Sequence, residues 1–173
     1  MRQEIKELVD ENHNRRMKIY GPYDQITGIG CYGFAEGLRK HIVIPDCMIP
    51  EMWVCKETLE TGIYHEVLRH GSIKRFIEEG MQRDYTDEYH QYVEEALFQA
   101  RCADDPEFAF MLTDKIVDKL TGNPIPFKLR YAQRKLLKVF EDLRRAGKPI
   151  LVVLLKARQW GGSTLTQMYI KWM

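Results

Sequence analysis

Long apolar runs are missing from this chain. Its most sustained one, Ile150-Leu151-Val152-Val153-Leu154-Leu155, falls far short of the roughly 20 residues that a bilayer-spanning helix needs. No apolar h-region follows Met1-Arg2-Gln3-Glu4, so no secretory signal is expected there. Cysteine is sparse, and none of the 4 residues form a C-x-x-C pair. Cys31, Cys47, Cys55 and Cys102 therefore read as reduced thiols of a cytoplasmic chain. Cys47, Cys55, His65 and His70 match no recurrent zinc-ligand spacing, and buried or incidental thiols are expected instead. Net charge is only +1, so bulk charge names no nucleic-acid partner, although a local basic patch would suffice for one. Internal repeats and low-complexity tracts are absent.

A chain of 173 residues with 45% hydrophobic and 29% charged residues can build a core and stay wetted. Residues 2–18 carry Ile5, Leu8, Val9 and Met17 on one weak stripe and read as a surface helix. Residues 20–36 are rich in Gly and Tyr. Gly28-Ile29-Gly30-Cys31-Tyr32-Gly33 matches Gly-x-Gly-x-x-Gly, but no strand leads in and no helix opens from it, so it reads as a loop. His41 to Pro45 suits a short strand ended by proline.

Three helical segments follow. Thr58 caps one with Leu59, Ile63 and Val67, and Gly71 interrupts it. Ser72 caps a second with Ile73, Phe76 and Ile77 inward. Thr86 starts a third, with Tyr89, Val93, Leu97 and Ala100 along one face. The acidic pairs Glu78-Glu79 and Asp104-Asp105 read as solvated surface.

The character changes near residue 106, which suggests a helical region over 1–105 and a mixed α/β unit over 106–173. Lys115 to Lys119 and Ile125 to Leu129 read as two short strands around Gly122-Asn123, the second kept at an edge by Pro124 and Pro126. A helix over about 131–146 has Leu136, Val139, Phe140 and Leu143 on its apolar face, with Gly147 as its stop. The run 150–155 does not alternate, which suits a central parallel strand covered on both faces. Leu165, Met168, Tyr169 and Trp172 then recur at helical spacing.

Between that strand and that helix lies Lys156-Ala157-Arg158-Gln159-Trp160-Gly161-Gly162-Ser163-Thr164. Strand, small-residue loop and helix start are the parts of a phosphate-binding loop. A cation and a Ser or Thr hydroxyl near Mg²⁺ complete such a site. The usual lysine before Ser/Thr is missing, because Gly162 stands there. Lys156 stands at the loop's beginning, from which it can fold back over the β- and γ-phosphates, with Arg158 as a second cation. In that register Ser163 is the metal-side hydroxyl. A second register makes it Thr164. The first gives Lys156 a reason.

The segment resembles the variant Walker A of tailed-phage terminase large subunits, DNA-packaging ATPases that often have Arg-Gln before the loop glycine and a lysine moved to the loop's beginning. Phe127-Lys128-Leu129-Arg130-Tyr131-Ala132-Gln133-Arg134-Lys135 resembles that family's adenine segment, where a Gln at a helix start reads the base. The stretch Arg101 to Phe108 is similar to what precedes it in members from Bacteroides-type phages and prophages. The resemblance implies a RecA-like P-loop ATPase fold, begun here and incomplete at its C-terminal side. It implies ATP with Mg²⁺ as cofactors. Gln133, Lys156, Ala157, Arg158, Gln159, Trp160, Gly161, Gly162, Ser163 and Thr164 would hold the nucleotide, with Lys156 and Arg158 acting in catalysis. Double-stranded DNA, a portal, a small terminase subunit and further copies of the chain would be the partners.

Members of that family continue with a Walker B Asp-Glu and a nuclease domain, neither of which precedes Met173. The expectation is a piece of a larger protein that does not by itself hydrolyse ATP at a motor's rate. Two other readings stay open: another P-loop translocase of helicase type, and a helical interaction domain without enzymatic activity.

Overall fold

The computed structural model describes residues 23–118, 120–155 and 160–173. The helix expected over 2–18 lies outside them. Residues 23–38 form a run of turns, a strap without regular structure, in which Gly28, Gly30 and Gly33 all take positive φ. Gly28 is required by a close approach rather than by a phosphate. An ideal Cβ there would lie 2.2 Å from the Trp53 carbonyl oxygen.

Strand β1 (Arg39–Val43) pairs antiparallel with β2 (Glu51–Cys55), so the strand expected at 41–45 has a partner that the sequence pattern did not announce. Two short helices follow, α1 (Lys56–Glu60) and α2 (Gly62–His70). Thr58 is not the expected cap. It lies inside α1, buried, and its hydroxyl donates to Asp104 Oδ2 at 2.9 Å. Gly71, at φ 83°, ends α2 as expected. Ser72 accepts from the Arg75 N–H and caps α3 (Ile73–Arg75), which runs on into a π-helical turn over Phe76–Gly80. Thr86 likewise accepts from the Tyr89 N–H and starts α4 (Asp87–Asp104). Met52, Val54, Tyr64, Val67, Ile73, Ile77, Val93 and Leu97 close a first core between the hairpin and these helices. Full burial of each such side chain contributes about 1.5–3 kcal/mol.

Helix α5 (Pro106–Thr113) begins with Asp105 as N-cap and Pro106 in its first turn. Strands β3 (Lys115–Val117) and β4 (Pro124–Pro126) form the expected antiparallel hairpin, shorter than its sequence pattern suggests. Helix α6 (Tyr131–Arg145) and helix α7 (Gly162–Trp172) fall where the apolar periodicity puts them. Leu137 rather than Val139 completes the buried face of α6, since Val139 is half exposed. Phe110, Phe127, Leu129, Leu136, Leu137, Phe140, Leu165 and Tyr169 form a second core.

The expected parallel strand at 150–155 is not formed. Both sheets among the described residues are two-stranded and antiparallel, and neither includes this segment. Its side chains still alternate: Leu151, Val153 and Leu155 are 86%, 94% and 97% exposed, Val152 and Leu154 38% and 41%. That is the pleat of an extended chain whose ladder has no neighbour. The fold is mixed α/β, and no described helix is long and apolar enough to cross a membrane.

Candidate functional site

Gln133 sits in the first turn of α6 and is 4% exposed. Its Oε1 accepts from the Arg130 N–H at 2.8 Å, closing the N-terminus of the helix on itself. Its Nε2 donates to the Gly161 carbonyl at 3.0 Å, across 28 residues of sequence. The two bonds settle which way the amide faces. They use one acceptor lone pair and one N–H, and leave one of each. Among the described residues nothing else takes that lone pair or that N–H, on a side chain with little exposure. The start of α6 and Gly161 are thus in direct contact.

Gly161 takes φ 84° and is the N-cap of α7; having no side chain, it leaves the first N–H groups of that helix without a side-chain cap. Gly162 has no room for a side chain, because an ideal Cβ would lie 2.5 Å from Trp160 Cζ2. Any side chain at this position would require the Trp160 indole to move. Ser163 is exposed and Thr164 half-buried at the start of α7. The Thr166 hydroxyl donates to the Gly162 carbonyl at 3.0 Å. Trp160 Nε1 is buried and has no hydrogen-bond partner among the described residues. Lys156, Ala157, Arg158 and Gln159 lie outside the described residues.

Beside this contact runs an apolar groove of about 560 Å³, walled by Tyr131, Leu136, Val139, Val152, Leu154 and Trp160. Lys135 Nζ stands 4.8 Å from the Tyr131 ring centroid. Among the described residues the groove has apolar walls and an aromatic face, with Lys135 at its rim.

Arg130, Arg134, Lys135, Lys138, Arg144 and Arg145 make a basic run at and along α6 that could face phosphate or be plain helix surface, and most of it is engaged within the protein. Lys138 pairs with Asp142 at 3.0 Å and Glu36 at 3.4 Å. Arg144 pairs with Glu141 at 2.8 Å, and Arg145 with Glu57 at 2.5 Å. Arg134 lies against the strap, its guanidinium 3.5 Å from the Tyr23 ring centroid. These groups bind the helix to its own protein rather than standing as an open phosphate track.

Sequence reading missed a buried charge cluster behind the site. Asp105, expected in solvent, has no exposure. It accepts from Nη1 and Nη2 of Arg39, at 2.6 and 2.9 Å, and from Arg101 Nε at 3.4 Å. Burial alone would raise its carboxyl, but Arg39, Arg101 and the Phe108 N–H outweigh it and hold the group below the ordinary carboxylate range. Glu107, with 1% exposure, receives the Tyr32 N–H and faces Arg39 at 3.6 Å and Arg134 at 3.7 Å. Burial, with Asp105 adding to it, pushes that carboxyl above its ordinary value despite the cations. One signal for this cluster was available: the i, i+4 spacing of Arg101 and Asp105 just before a proline.

No protein-family model, no curated protein and no solved structure matches this chain.

Proposed function

We propose that residues 106–173 carry the beginning of a P-loop ATPase unit of the DNA-packaging type, binding Mg²⁺–ATP through Gln133 and the 156–164 loop. The observation that carries this is the Gln133–Gly161 bond, which joins an adenine-reading amide to the glycine turn where a phosphate would sit. Capless N–H groups at the start of α7 suit an anion, and the helix dipole adds to them. Lys156 and Arg158 supply the positive charge, and Ser163 or Thr164 the hydroxyl beside Mg²⁺. In a larger protein of this kind the same unit hydrolyses ATP and moves double-stranded DNA, with a portal, a small terminase subunit and further copies as partners, in the cytoplasm of a bacterial host. Calorimetric titration with Mg²⁺–ATP tests the proposal. Lys156→Ala and Gln133→Ala should each weaken binding about tenfold or more, as losing a charged or base-edge contact does. Unchanged affinity in both variants overturns it.

One observation favours a second reading, in which α6 and α7 are packing elements of an interaction domain. Gln133 is almost fully buried, with two hydrogen bonds already made to its own protein. On that reading the chain shows no saturable nucleotide binding.

A further inference from the structure

Arg134 follows Gln133 directly, and the two side chains hold different parts of the protein. Gln133 holds the Gly161 carbonyl. Arg134 Nη2 donates to the Gly30 carbonyl, its guanidinium lies over the Tyr23 ring, and its Nε faces Glu107 Oε1 at 3.7 Å. The same strap grips the chain just ahead of α6. Gln25 Oε1 accepts from the Leu129 N–H at 2.9 Å, while Gln25 Nε2 donates to the Glu107 carbonyl at 2.6 Å. The first turn of α6 is therefore anchored on both sides of Gln133, at Leu129 and at Arg134, by residues that lie more than 100 positions earlier in the sequence. Arg101 fastens the strap in turn, donating to the Ile26 carbonyl at 2.7 Å, and Arg39 Nε donates to the Tyr32 carbonyl at 2.8 Å.

A base-reading amide discriminates only if its donor and acceptor cannot exchange places. Adenine offers a donor and an acceptor on the edge that glutamine reads, whereas guanine offers two acceptors. Rotating the Gln133 amide, or shifting it by about 1 Å, costs that discrimination without touching the phosphates.

We propose that the strap over residues 23–38, acting through Arg134, is the positioning device for the Gln133 amide, so that base selectivity at the nucleotide site depends on a segment distant from it. Arg134 is a positioning residue and makes no contact with the nucleotide. The proposal rests on the nucleotide reading above.

The test compares binding of Mg²⁺–ATP, Mg²⁺–GTP and Mg²⁺–tripolyphosphate to the full chain and to Arg134→Ala, Arg134→Lys and Tyr23→Leu, with far-UV circular dichroism as the check on folding. Tyr23→Leu removes the ring beneath Arg134 and serves as the variant if Arg134→Ala fails to fold. In Arg134→Ala and Tyr23→Leu the preference for ATP over GTP should fall about tenfold, the scale of one well-made polar contact, while tripolyphosphate affinity stays within twofold. Arg134→Lys, keeping charge without the planar fork, should recover part of the preference. A preference that stays within twofold of wild type in the folded variants overturns the proposal. So does an equal fall in ATP and tripolyphosphate affinity, which marks general damage. Absence of binding of all three ligands by the wild-type chain overturns the nucleotide site itself, and is distinguished from the other outcomes by occurring before any substitution.

Discussion

Replacing Asp105 with asparagine removes one charge from a cluster with no solvent. The wild-type carboxylate accepts from Arg39 at 2.6 and 2.9 Å, from Arg101 at 3.4 Å and from the Phe108 N–H at 3.2 Å. Asparagine keeps an oxygen for the Phe108 N–H and so spares the α5 cap. It leaves Arg101, with no exposure, facing a neutral amide, while Arg39 keeps only Glu107, at 3.6 Å, as a carboxylate neighbour. Stranding a buried charge in this way costs about 3–5 kcal/mol. That is a large share of the ~5–15 kcal/mol that holds a domain folded. Asp105→Ala should cost about 0.5–2 kcal/mol more, because the cap goes too. The cost has a pH signature. The folded carboxyl titrates below its unfolded value of 3.8. Its contribution is thus complete above that value and is lost as pH falls through the depressed folded value. Urea unfolding followed by far-UV circular dichroism at pH 7 and at about pH 2.5 measures both ends of this window. The gap between wild type and Asp105→Asn should be several kcal/mol at pH 7 and clearly smaller at acid pH. A gap under about 1 kcal/mol at pH 7, or one that ignores pH, refutes the reasoning that the cluster works through ionised Asp105.

Three further perturbations probe other parts of the molecule. Leu165→Ala, at a position of α7 with no exposure, should lower stability by about 2–5 kcal/mol in urea melts, since α7 closes the second core. Gly161→Ala should cost about 1–2 kcal/mol and break the Gln133 bond, because φ 84° disfavours any Cβ and an ideal one lies 2.7 Å from Gln133 Nε2; loss of amide protection at Leu165 would report it. Val153→Lys should raise the concentration at which light scattering sets in while changing unfolding stability by less than about 0.5 kcal/mol, since Val153 projects from an unpaired apolar segment.

The helical half of the fold was readable where local chemistry decides structure. Ser72, Gly71 and Thr86 do what their caps require, and the stripe on α4 is buried at Val93 and Leu97. Long-range partners were not readable. Strand β2 has no strong period of its own and exists because β1 lies beside it. The Asp105-Pro106 start of α5 was a legible helix signal, yet two adjacent aspartates looked like surface until Arg39, 66 residues away, was placed against them. Segment 150–155 is the converse case. Its composition demands sheet neighbours, and no described residue supplies them. At the candidate site, resemblance paired Gln133 with the loop, but the bond from its amide to the Gly161 carbonyl was not legible, because it joins residues 28 apart. Nor was the Trp160 ring that leaves Gly162 no room for a side chain, because it depends on atomic packing.

Hydrogen exchange with and without Mg²⁺–ATP tests the central claim most directly, because it locates the ligand as well as detecting it. The expected result is joint protection of the α6 start, around Leu129 to Arg134, and of the loop and α7 start, around Trp160 to Thr166, with both effects lost in Gln133→Ala. Exchange that is unchanged in both segments at millimolar nucleotide, or protection confined to the helices of the first core, would contradict it.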